Sequence, residues 1–118
     1  MTQYLLAVQL DETTRETGEE MGAQMARTGK VTDEMKAAGA WVFVGGLLSS
    51  QHTTLVSPRD GTTVTTDGPF AETKEQLGGF WVIECDGLGA ARQWAEKCAV
   101  ACGRPIEIRP FDDGSGRE

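Results

Sequence analysis

The residues of this 118-residue chain that can do chemistry fall into three groups: a single histidine, His52, an acidic and basic run from Asp67 to Glu75, and three cysteines. Histidine has an unperturbed pKa of about 6.5, so His52 can take or give a proton near neutrality. Asp67 or Glu72 can act as general acid or base where burial displaces its pKa. Lys74 can hold an anionic substrate or an oxyanion. Asp67-Gly68-Pro69-Phe70 reads as a rigid loop: Asp67 can accept backbone N–H bonds, Gly68 supplies backbone freedom, Pro69 stiffens the exit and Phe70 can plug into an apolar site. Asp67 and His52 are therefore the candidate catalytic residues, and Phe70, Glu72 and Lys74 candidate ligand contacts. The plainer reading is a structural turn, a solvated charged segment and a solvated loop histidine.

Cys85, Cys98 and Cys102 are an odd number with no CxxC pair. A disulfide framework is not expected. Cys98 and Cys102, four apart on one helix face, could ligate zinc together with Cys85, but three thiols in apolar segments read as core packing, with no metal and no cofactor. The sequence holds no HExxH, no nucleophile elbow and no phosphate-cradling glycine pattern. A further set of polar residues, Gln9, Glu84, Glu107 and Arg109, interrupts otherwise apolar strands. Buried charges must pair or be used. Glu84 and Arg109 are thus candidate ligand contacts in a pocket, or else wet residues at strand ends and edges.

The elements that must position these groups follow from periodicity. Residues 3–10 (QYLLAVQL) have the length of a buried strand. Thr17 and Glu20 have capping-box spacing, and Met21, Met25, Thr28, Thr32 and Met35 recur on one face of a helix over about 18–38, ended by Gly39. Gly29 is a point where that helix could break. Residues 41–48 (WVFVGGLL) form a second strand, and Gly45-Gly46 suggests a bulge or a close backbone approach. Residues 53–57 and 62–66 flank Pro58-Arg59-Asp60-Gly61, a hairpin signal. Residues 71–77 read as a charged connector and 79–85 (GFWVIEC) as a strand. Asp86 is a candidate cap for a helix whose stripe is Leu88, Ala91, Ala95, Cys98 and Cys102, and residues 106–111 form the last strand. The class is α+β: a ferredoxin-like βαββαβ arrangement with an inserted hairpin, in one domain over 1–111, with 112–118 a flexible tail.

Composition narrows the partners. Eleven basic against eighteen acidic residues give a net charge of −7, with no Lys/Arg cluster, which disfavours nucleic acid and anionic membranes. The longest apolar run, Ala40–Leu48, is nine residues, too short for a membrane span. The start of the chain has no basic stretch ahead of its apolar run, so a cytoplasmic location is expected. The strands are apolar on both sides: Phe80 and Val82 oppose Trp81 and Ile83, and Leu5 and Ala7 oppose Leu6 and Val8. Two helices cover one face only, so a second copy is expected on the other, sheet against sheet, closing a barrel. The competing arrangement covers that face with the hairpin and connector of the same chain.

Residues 64–80 (VTTDGPFAETKEQLGGF) closely resemble the signature of DGPF-domain proteins in the YCII-related superfamily, as do the opening YLL strand, the AAGAWV junction, the TTLV…DG hairpin and WAEKC of the last helix. The resemblance implies a dimeric α+β barrel. It implies no single reaction, since most members have none assigned. Some relatives use a His–Asp pair in a pocket, and one branch dehalogenates chlorocatechol-type lactones. Other members are encoded beside, or fused to, extracytoplasmic-function sigma factors, which implies a regulatory partner as the alternative to a small-molecule site. The superfamily histidine lies near the first helix, and residues 1–40 here contain none; His52, ahead of the hairpin, is a candidate substitute base or else a solvated loop histidine.

Overall fold

A computed structural model describes residues 1–12, 18–71 and 75–114. Thr17 of the expected capping box, Glu72, Lys74 and residues 115–118 of the expected tail lie outside them. The elements are β1 (Thr2–Asp11), α1 (Gly18–Ala37), β2 (Trp41–Gly46), β3 (Thr54–Arg59), β4 (Thr62–Asp67), β5 (Glu75–Cys85), α2 (Leu88–Cys102) and β6 (Ile106–Pro110). β2, β5, β1 and β6 form an antiparallel sheet in that order, and β3–β4 form a separate two-stranded sheet. Set the hairpin aside and this is the ferredoxin-like order, with β1 and β5 central.

Alternation in the strands divides the sheet as the sequence implies. Tyr4, Leu6, Trp81, Ile83 and Cys85 lie on the helix side and form the core with Met35 and Val31 of α1 and Ala91, Ala95 and Cys98 of α2. Leu5, Phe80, Val82 and Phe43 lie on the opposite face, where the rings of Phe43 and Phe80 are 5.9 Å apart. β5 bulges at Gly78, so that Gln9 pairs with Leu77 and Val8 with Gly79. The ladder therefore reaches back to Glu75, into the expected connector.

Both helices are tied by polar contacts that complete their backbones. Gly39, with φ +74°, ends α1, and the Ala40 N–H reaches the Met35 carbonyl at 2.9 Å. Gly29 does not break the helix; it is exposed, so the continuous turn costs only its backbone entropy. Gln24 Nε2 donates to the Cys102 carbonyl at 2.7 Å and Arg27 Nε to the Ala101 carbonyl at 3.0 Å, serving orphan carbonyls of the last turn of α2. Asp86 is not the cap of α2: Gly87 occupies that position, with φ +135° and no side-chain cap bond. Leu88 and Met25, expected on the buried stripes, are 56% and 65% exposed, because each lies towards the N-terminal end of its helix, beyond the packed stretch.

One buried hydrogen bond joins α1 to the sheet. Trp81 Nε1 donates to Thr32 Oγ1 at 3.0 Å, and the same hydroxyl donates to the Thr28 carbonyl at 2.9 Å. Thr32→Val should leave the indole N–H buried and unserved, at a cost of about 1–3 kcal/mol, while Thr32→Ser should lose much less. Urea unfolding of the two variants checks this.

All three cysteines are buried, and no disulfide joins them. Burial, helped by the neighbouring Cys102, pushes the Cys98 thiol up from the usual 9.0 to about 12. Between these values the unfolded chain releases a proton that the folded chain keeps, so stability falls as pH rises above about 9, by at most about 1.4 kcal/mol per pH unit for one thiol. In Cys98→Ala this part of the alkaline slope should vanish, which denaturant unfolding in reductant at several alkaline pH values would show.

Candidate functional site

The hairpin turns on Asp60-Gly61, where both residues have positive φ (+49° and +81°), as a two-residue type I′ turn requires. Its strands are longer than the sequence reading gave, since Pro58 and Arg59 pair with Thr63 and Thr62. A proline is tolerated there because a two-stranded ribbon has only edge strands. At the base of the hairpin Thr54 pairs with Asp67, and the Gly68 N–H donates to the Thr53 carbonyl at 2.8 Å. The turn is thus closed by the Gly68 backbone, whose φ of +106° favours glycine.

The segment before the hairpin is fixed from afar. Ser50–His52 make a single 3-10 turn. Glu12 anchors it: its carboxylate accepts the Ser50 N–H at 2.8 Å and the Ser50 hydroxyl in a second, shorter bond. Ser49 Oγ lies 3.5 Å from His52 Nδ1. These two turns and the start of β5 enclose an open cleft of about 630 Å3, lined among others by Leu47, Ser50, His52, Pro69, Phe70 and Gln76.

This loop cleft brings together His52 and Phe70, two of the residues singled out in the sequence. Phe70 does not plug into an apolar site of its own chain. It is 87% exposed at the rim, because the hairpin base stands off the main sheet and has no core behind it. Asp67 is exposed beside the cleft, paired with Thr54, two residues after His52. Glu84 and Arg109 are elsewhere, exposed on the open face of the large sheet, opposite Gln3 and Leu5 on either side of β1. Sequence reasoning passed over Glu12, which follows the first strand and belongs to no motif. No spacing rule links a carboxylate to a turn 38 residues away.

A second cleft, of about 460 Å3, opens under the N-terminal half of α1 and shares only the Gly46–Leu48 wall with the first. Its floor is glycine. A Cβ on Gly79 would lie 2.8 Å from the Gly45 carbonyl oxygen, and one on Gly78 2.8 Å from the Leu10 Cβ, so β2, β5 and β1 approach there too closely for side chains. The expected close backbone approach at Gly45-Gly46 is this contact. The sheet there presents these glycines among Val8, Leu10 and Val44, and a gap remains between it and the end of α1 that carries Met21 and Met25.

No helix among the described residues is long and apolar enough to cross a membrane. Comparison with known proteins yields a curated relative, an uncharacterized protein of Rhizobium meliloti (strain 1021), 57% identical over 53 residues, covering 43% of this chain and 43% of that protein. The match thus spans less than half the length of that relative. The model of the YCII-related domain matches residues 2–111, nearly the full length, on a chain with the strand order described above. The chain belongs to the YCII-related family.

Proposed function

We propose that this protein is a cytoplasmic homodimer that binds a small molecule in the loop cleft, with His52 and Asp67 available for acid–base chemistry beside it. The observation that carries the reading is the convergence of His52 and Phe70, from opposite ends of the hairpin, on one cleft of ligand-sized volume. Glu12 supports it, because a carboxylate bonded to the 3-10 turn holds His52 in a set position rather than on a loose loop.

The dimer rests on the open face. Phe43 is 51% exposed there beside half-buried Leu5, Phe80 and Val82, and the hairpin forms its own sheet instead of covering them. The radius of gyration, 16.3 Å, exceeds the value of about 13.5 Å expected for a compact domain of this length, as a protruding hairpin requires. A second copy laid on this face buries the apolar strip and encloses Glu84 and Arg109, which then border the interior space between the sheets and become ligand contacts in their own right.

Light scattering at micromolar concentration should give twice the single-chain mass, and Phe43→Asp should give the single chain; a compact wild-type monomer refutes the dimer. A thermal-shift screen of polar metabolites should find a stabilising ligand, since ligand at 100 times its Kd adds about 2.7 kcal/mol. His52→Gln should weaken that ligand by about tenfold, the order expected for loss of one hydrogen bond to a charged group. The absence of any hit, or a hit indifferent to His52, counts against the loop cleft.

A further inference from the structure

The glycine-floored cleft under α1 has a chemistry of its own, independent of the loop cleft. Its walls are Met21, Met25, Val44, Leu47 and Trp81, and its floor is Gly46, Gly78 and Gly79. Arg104 is the one charged side chain on its lining among the described residues, and its Nε is buried. A guanidinium carries five N–H donors in a planar fork, so it can serve the fold and a carboxylate together. The flat floor suits a flat ligand: backbone without side chains lets a ring approach closely, and methionine side chains adapt to its edge. An arginine at the border of an apolar slot, in a chain of net charge −7, selects one anionic group on an apolar body.

From this arrangement we infer that the cleft under α1 is a binding site for a small planar apolar monocarboxylic acid, its carboxylate on Arg104 and its ring over Gly46, Gly78 and Gly79. The volume of about 460 Å3 admits a two-ring acid and falls within the range of ligand sites. Dicarboxylates and phosphates are disfavoured, because the described lining offers a second anionic group no cation.

The probe is 2-naphthoate, with neutral 2-naphthamide as its match in shape. Titration of the full chain by calorimetry should show the acid binding at least tenfold tighter than the amide. The Trp81 indole N–H resonance should move with the acid, which locates it in this cleft, since Trp81 does not border the other. Arg104→Met should reduce acid affinity at least tenfold and leave the amide within twofold. Gly46→Leu fills the space without backbone strain, since nothing lies within 4 Å of the added Cβ, and should abolish binding of both probes with the fold retained by circular dichroism. Equal affinity of acid and amide for the unmodified chain, unchanged acid binding in Gly46→Leu, a still Trp81 resonance, or no binding at millimolar probe each overturns the proposal. The comparison of acid with amide holds even if Arg104→Met does not fold.

Discussion

A four-stranded sheet has two faces, and two helices of this length can bury only one of them. Most of the molecule follows from that asymmetry. Tyr4, Leu6, Trp81 and Ile83 meet α1 and α2 and become a closed core, fixed in register by the Trp81–Thr32 bond. Leu5, Phe43, Phe80 and Val82 are nearly as apolar and remain partly open to water. The buried face holds the closed core of the fold, whereas the open one keeps an apolar centre in contact with water. The charged residues on the open face, Glu84, Glu107 and Arg109, stand towards the ends and the β6 edge, while the centre is aromatic and aliphatic.

Regular packing does not extend through the whole scaffold. Among the described residues, two clefts lie on either side of the Gly46–Leu48 segment. On one side the inserted hairpin ends in turns held by Glu12 and by the Thr53 carbonyl. On the other, glycines bring three strands close together, and a gap opens beneath the N-terminal half of α1. Both clefts share the Gly46–Leu48 wall and so sit at the same end of the large sheet.

The sequence made the large elements legible because each rests on a short-range rule. Alternation in residues 80–85, the helical stripe through Thr32 and Met35 and the stop at Gly39 all express side-chain direction along one element. Where a residue answered to something distant, those rules missed it. Met25 fits the stripe and is exposed, because the sheet at its end of α1 is built on Gly46, Gly78 and Gly79 and leaves a cleft there. Glu75 and Gln76 look like a charged connector and are strand, because β1 offers them a ladder. His52 and Phe70 were recognisable as candidates from residue type alone. Their meeting at one cleft was not, since it depends on Glu12 and on closure of the hairpin base.

The extra residue at Gly78 gives β5 a double allegiance. Downstream of it, odd-numbered residues point to the helices; upstream, Leu77 faces with Gln9 to the other side, and the phase of alternation has reversed within one continuous strand. A single inserted glycine thus lets the same strand furnish the hydrophobic interior at one end and, through Gln76 and Leu77, part of the loop-cleft wall at the other. Moving that insertion along the strand would turn every residue between its old and new positions to the opposite face, so the interior and the cleft wall are set together by where the glycine falls.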